Sequence, residues 1–225
     1  MQVAIPINQP VVLSQPTLRA IPASKISTAE KYRENAVNNL CIHIARLTGI
    51  SITDADHQLL QKTFKYKSLR RRQYLLQEGD ICRHISFVVS GALRMYSVNE
   101  RGQEATMFLC MENDWSVNRE SMDLLIPSRY NIEAVESSEL LLINFGDMET
   151  LKQTVPAIAE MVKIQDRKMA IATQNRIHAA ISMTAEERYH DLVQSNPAYL
   201  QRFSQNMIAS YLGIKPETLS RVRNR

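Results

Sequence analysis

Near the C-terminus the chain runs Ser204-Gln205-Asn206-Met207-Ile208-Ala209-Ser210-Tyr211-Leu212-Gly213-Ile214-Lys215-Pro216-Glu217-Thr218-Leu219-Ser220-Arg221-Val222-Arg223. Ser204 is placed to cap a helix whose apolar face is Ile208 and Leu212. Gly213 then suits the positive φ that ends a helix in a sharp turn, and Pro216 suits the first position of a second helix. Leu219 and Val222 form the inner face of that second helix, and the small Ala209 lets the two helices approach. Two helices, a tight Gly-containing turn and apolar anchors on both inner faces make a helix-turn-helix.

The outer face of the second helix carries Glu217, Thr218, Ser220, Arg221 and Arg223. Arg bridges guanine O6 and N7, Glu accepts from cytosine N4, and Ser or Thr serves several bases. With Ser204 at the helix start and Lys215 in the turn, these are the candidate DNA contacts. Charge agrees: Arg202, Lys215, Arg221, Arg223 and Arg225 stand against Glu217 alone, so the last 25 residues carry a net charge equal to the +4 of the whole chain. A basic stripe on one element is the footprint of nucleic-acid binding. A helical hairpin with a solvated charged face, reading no DNA, is the alternative.

Upstream, Thr184-Ala185-Glu186-Glu187 has capping-box spacing before Tyr189, Leu192 and Val193, so a helix starts there and stops near Asn196-Pro197. Ser182-Met183 just before it reads as a hinge. From Pro156 to about Ile181 the pattern predicts one long helix. Ile158, Val162, Gln165, Met169, Ala172, Arg176 and Ala179 follow a 4-3-4-3 spacing, that of a two-chain coiled-coil seam. The dimer contacts expected are Ile158, Val162, Gln165, Met169 and Ala172. A helix packed on its own chain is the other reading.

Residues 69 to 145 alternate short β-rich runs with turn signals. The runs are Tyr74–Leu76, Ile85–Val89, Leu93–Val98, Ala105–Leu109, Tyr130–Val135 and Leu140–Ile143, punctuated by Glu78-Gly79-Asp80, Ser90-Gly91 and Asn99-Glu100-Arg101-Gly102. Strands at this spacing predict an antiparallel sandwich or barrel, whose interior either holds a ligand or is filled by side chains. Before them, residues 30 to 64 read as two short helices, the second opened by Thr53 with Asp56. Residues 1 to 28 hold half of the eight prolines and no acid, and read as an extended or disordered arm.

The whole is α+β. Its 225 residues are 44% hydrophobic and 22% charged, enough to build a core and too little net charge for disorder. No apolar run approaches the ~18 residues of a membrane span, and no export signal is evident, so a cytoplasmic protein is expected. The three cysteines, Cys41, Cys82 and Cys110, are too scattered for a disulfide framework or a thiolate metal site. The five histidines include no His-x-His, and only His84 lies in the β region, so a metal-dependent enzyme is not expected.

The segment Ala209–Arg221, the barrel pattern with Glu78-Gly79-Asp80 and Ser90-Gly91, and the long intervening helix resemble the Crp/Fnr transcription regulators, over about residues 40 to 225. The resemblance implies an N-terminal β-roll sensor over 29–155, similar to cyclic-nucleotide-binding jelly rolls. It also implies a dimerisation helix over 156–182 and a helix-turn-helix domain over 183–225. Double-stranded DNA with a near-palindromic site, a second copy of the chain and RNA polymerase are the partners implied, and Glu217 and Arg221 the principal base-reading pair.

Departures qualify what the resemblance implies. Members that bind cyclic AMP hold it with a Gly-Glu pair and an Arg-Ser pair. Here the first loop reads Ser116-Val117-Asn118-Arg119, and the second pair falls at Ser128-Arg129 with its types reversed. An anionic phosphate without its oriented Arg binds poorly, so cyclic AMP is not the expected effector. The candidate pocket residues are Trp115, Arg119, Ser128, Arg129 and Tyr130. Three scattered cysteines cannot ligate an iron–sulfur cluster from one chain, and Cys82 and His84 are the only candidate haem ligands, so no cofactor is expected. Lys215 stands at an N-cap where similar sequences carry Ser or Thr. No C-terminal wing is expected after Arg223.

Overall fold

The computed structural model describes residues 28–224. The proline-rich arm expected over 1–28 lies outside them but for its last residue. Thr28 begins α1 (Thr28–Thr48), a single 21-residue helix rather than a short one. The second helix, α2 (Asp54–Thr63), opens with a complete capping box: the Thr53 side chain accepts from the Asp56 N–H, and the Asp56 carboxylate accepts from Thr53.

Eight strands follow, two more than the sequence pattern suggests. They are β1 (Lys65–Leu69), β2 (Tyr74–Leu76), β3 (His84–Ser90), β4 (Leu93–Val98), β5 (Glu104–Cys110), β6 (Trp115–Ser116), β7 (Asn131–Ala134) and β8 (Ser138–Asn144). The unexpected strands are β1, disguised by Lys65 and Lys67, and β6, only two residues long. The helix α3 (Arg119–Leu124) lies between β6 and β7. All pairings are antiparallel, in two four-stranded sheets ordered β1-β8-β3-β6 and β2-β7-β4-β5.

β8 shows why the first sheet is sandwiched. Its Leu140 and Leu142 face the second sheet, joining Val88, Leu93, Met95, Ile132 and Ala134 in the interior of the roll. Its Leu141 and Ile143 face outward with Phe87. There they meet Leu40 and Ile44 of α1, Leu60 of α2, Met148 and Leu151 of α4 (Phe145–Thr154), and Ile158 and Met161 of α5 (Pro156–Ser182). A continuous apolar run in a strand therefore serves two cores, and each buried Leu or Ile contributes about 1.5–3 kcal/mol. Gly91, between β3 and β4, has φ 94, and a Cβ there would strike Ser138 and the backbone of Ser137. Only glycine fits that turn.

A third core is shared by the sheet domain and the C-terminal helices. Ala92, Leu109 and Val135 of the sheet domain pack with residues of α6 (Ala185–Ser195), α7 (Tyr199–Arg202), α8 (Gln205–Leu212) and α9 (Pro216–Arg223). The C-terminal helices thus rest on the outer face of the second sheet.

Candidate functional site

The local chemistry of the helix-turn-helix is as the residues dictate. The Ser204 hydroxyl accepts from the Met207 N–H at 3.3 Å and starts α8. Gly213 ends α8 in the left-handed region (φ 68), its N–H donating to the last carbonyls. Lys215 is the N-cap of α9 without a side-chain cap bond, and Pro216 is its first residue. Ile208, Ala209, Leu212 and Leu219 are buried, and Val222 is half-buried. Lys215, Glu217, Ser220, Arg221 and Arg223 are exposed, and Thr218 is half-buried within 3.4 Å of the Arg221 guanidinium. Ser204 is exposed too, but its hydroxyl is committed to the cap.

Arg202 does not belong to this outward stripe. Its guanidinium grips Glu112 at 2.9 Å and also pairs with Glu136, both in the sheet domain. Burial would raise the Glu112 pKa, but the Arg202 guanidinium and the Gly91 N–H outweigh it and hold the carboxyl below its usual range. The charge counted in the basic C-terminal stripe is therefore smaller by this residue on the outer face.

Three further contacts tie the head to β5, the edge strand of its sheet. The Ser210 hydroxyl accepts from the Thr106 N–H at 2.9 Å and donates to the Glu104 carbonyl at 2.9 Å, taking the place of a neighbouring strand. The Arg176 guanidinium donates to the carbonyls of Met107, Thr106 and Tyr211 and lies 4.3 Å from the Tyr211 ring centroid. The Tyr199 hydroxyl donates to the Leu109 carbonyl at 2.8 Å. An edge strand exposes unpaired backbone groups, and here the head satisfies them.

The long helix is divided. Ile158 is fully buried in the chain's own core, and Val162 and Gln165 are half-buried. Met169 and Ala172 are exposed. Arg176, at a seam position by spacing, is spent on its own β5. Of the seam as spaced, Ile158 is thus an internal packing residue, because the first turns of α5 cover Leu141 and Ile143. The large apolar residues exposed on the later turns are Met169, Ile171, Ile177 and Ile181.

The five candidate pocket residues are not gathered into one cavity. Trp115 packs against Phe87 and Phe64 in the outer core, centroids 5.1 and 6.3 Å apart. Arg119 pairs with Asp166 of α5 at 2.7 Å, and Arg129 with Glu120 at 2.5 Å, both exposed. Tyr130 packs against the interior core. Ser128 is buried and accepts from Asn118 Nδ2 at 2.7 Å while donating to the Tyr130 carbonyl. Asn118 and Ser128 thus join the loops on either side of α3. The sequence alone did not single out Tyr199, Ser210 or the Asn118–Ser128 bond, and it marked Arg176 only as a seam position, because nothing in their local spacing points to these partners.

Among the described residues no cluster of His, Cys, Asp and Glu could hold a metal, and no helix is long and apolar enough to cross a membrane. Cys82 is buried with a raised pKa, and burial first, then Lys65, Lys67 and Arg83, lower that of His84.

The cyclic nucleotide-binding domain family matches residues 66–154. Regulatory protein HlyX of Actinobacillus pleuropneumoniae is 24% identical over 203 residues, 84% of this chain and 81% of that one. Transcriptional activator protein Anr of Pseudomonas aeruginosa is 25% identical over 191 residues, 78% of this chain and 76% of that one. The structure of FixK2 from Bradyrhizobium japonicum superposes with a TM-score of 0.62 at 18% identity, covering 72% of this chain and 83% of that chain. At that identity the structural likeness speaks to fold alone.

Proposed function

We propose, on the premise that this chain is a Crp/Fnr-type transcription regulator, that it binds duplex DNA sequence-specifically as a homodimer. The sensor spans about 29–155, the dimerisation helix 156–182 and the reading head 183–225. Two-fold symmetry would set the two α9 helices in successive major grooves, about 34 Å apart, on a near-palindromic site. Glu217 and Arg221 read bases, Thr218 and Ser220 assist, and Lys215 and Arg223 approach phosphates. The half of α5 beyond Gln165, with Met169 and Ala172, supplies the seam. RNA polymerase is the partner such a regulator addresses. No enzymatic step is assigned to any residue.

The observation that carries this reading is the outward face of α9, where Glu217, Ser220 and Arg221 stand exposed while Leu219 anchors the helix behind them. The direct Asn118–Ser128 bond supports an effector other than cyclic AMP. The test is selection from a random duplex library with purified dimer. Enrichment of a palindrome containing G·C pairs, lost on Arg221→Ala, is expected. A folded dimer that selects no sequence overturns the reading.

A further inference from the structure

A cleft of about 260 Å³ opens between α1 and the end of β3. Its walls are Asn39, Ile42, His43 and Arg46, which share one face of α1, with Val89 of β3 and Asn113 of the β5–β6 loop. The chemistry of these walls is consistent. Among the described residues nothing pairs with the Arg46 guanidinium or with the side-chain amides of Asn39 and Asn113. His43 Nε2 is shielded from solvent and has no hydrogen-bond partner. Such an atom is costly unless something satisfies it. Burial first, and the charge of Lys168 second, hold the imidazole below its usual pKa, so the ring is neutral at pH 7. The cleft therefore offers one cation, two amides and the apolar side chains of Ile42 and Val89, with the shielded His43 ring forming part of its wall. That set fits a singly charged oxyanion on an apolar body, with the guanidinium gripping the two oxygens.

The cleft is also joined to the head. Asn113 donates its N–H to Val88, and the Asp114 carbonyl accepts from Val88, which fixes the loop to β3. The residue before Asn113 is Glu112, which holds Arg202 of the head at 2.9 Å. A ligand pressing on Asn113 acts on the loop that anchors the reading head.

We propose that this cleft is the sensor's ligand site and takes a small organic carboxylate, in place of a nucleotide inside the roll. The proposal rests on the reading of the chain as a regulator for its consequence, though not for the binding itself. Trp115 is the sole tryptophan and packs against Phe87, which in turn contacts the His43 ring at 5.5 Å between centroids, so its indole resonance reports on the cleft.

The experiment titrates the full chain with benzoate, and with benzamide as its uncharged counterpart, following the Trp115 indole N–H by NMR. A saturable shift with benzoate and none with benzamide is expected. Arg46→Gln, at an exposed position that leaves the fold intact, weakens binding by about tenfold or more. No saturable shift, or equal binding by Arg46→Gln, overturns the site. Library selection of DNA is run separately: its failure would sink the regulator reading while leaving a measured carboxylate site standing.

Discussion

Arg202 and Arg221 belong to one small head and meet opposite fates. Arg202, on the inner side, is gripped by two carboxylates of the sheet domain. Arg221, on the outer side, hydrogen-bonds among the described residues only to Thr218 of its own helix. The inner face of the head is a folded interface with satisfied partners. The outer face is polar surface with no further partner among the described residues. Unspent donors on a rigid helix are what a base-reading surface requires, and spent donors are what a docking surface requires. The contrast also divides the consequences of mutation: changes on the inner face should register as stability, and those on the outer face as DNA selectivity.

The largest effect expected is that of Arg221→Ala. It removes about 1–3 kcal/mol of discrimination per half-site and leaves the melting temperature unchanged. Binding assays against the selected site and a scrambled one check this, and retained selectivity would remove Arg221 from the reading role. On the inner face, Tyr199→Phe strips the Leu109 carbonyl of its buried donor. A loss of about 1–3 kcal/mol in denaturant unfolding follows, with no change in which sequences are selected. If selectivity moved as well, the two faces would not be separable.

Arg202→Ala should cost less, about 1 kcal/mol, because both ion pairs are about a third exposed and screened by solvent. Its more telling readout is limited proteolysis: faster cleavage near Ser182-Met183 is expected as the head loosens, and an unchanged cleavage rate would argue against the clamp. Lys215→Thr runs the other way. Supplying the missing cap raises stability by about 1 kcal/mol, while losing one phosphate contact lowers the salt slope of DNA binding by about one. An unaltered slope would place Lys215 away from the backbone.

The smallest effect is that of pH. The Glu112 carboxyl titrates below its ordinary value in the fold. Its contribution to head docking is therefore present above the unfolded pKa, near 4.5, and is lost as pH falls through the lower folded value. Stability curves of the wild type and Glu112→Gln should converge on acidification. Curves that stay parallel would mean Glu112 adds nothing by charge.

These predictions mix what could be read along the chain with what could not. The capping boxes at Thr53 and Thr184, the turn at Gly213 and the β8 run were legible from a few adjacent residues. The strand β1 was not, because Lys65 and Lys67 conceal its alternation, and α1 proved longer than its pattern suggested. Arg202 was read with the basic tail because charge is visible in sequence and its partners are not. The candidate pocket was read from loop position alone, and the fold scatters its members into two cores, two surface ion pairs and a hydrogen bond between loops.

Local residue patterns were enough for the helix-turn-helix, the class of the fold and the outward chemistry of α9. Caps, left-handed glycines and apolar periods act over one helical turn, and each residue carries its own signal there. What the head rests on, which half of α5 is free and how the sensor loops close came from long-range packing. Those outcomes depend on pairs such as Thr106 and Ser210, 104 residues apart, or Leu109 and Tyr199, 90 apart. A hydroxyl carries no local mark of its distant partner, and such a bond exists only once two separately folded surfaces have met.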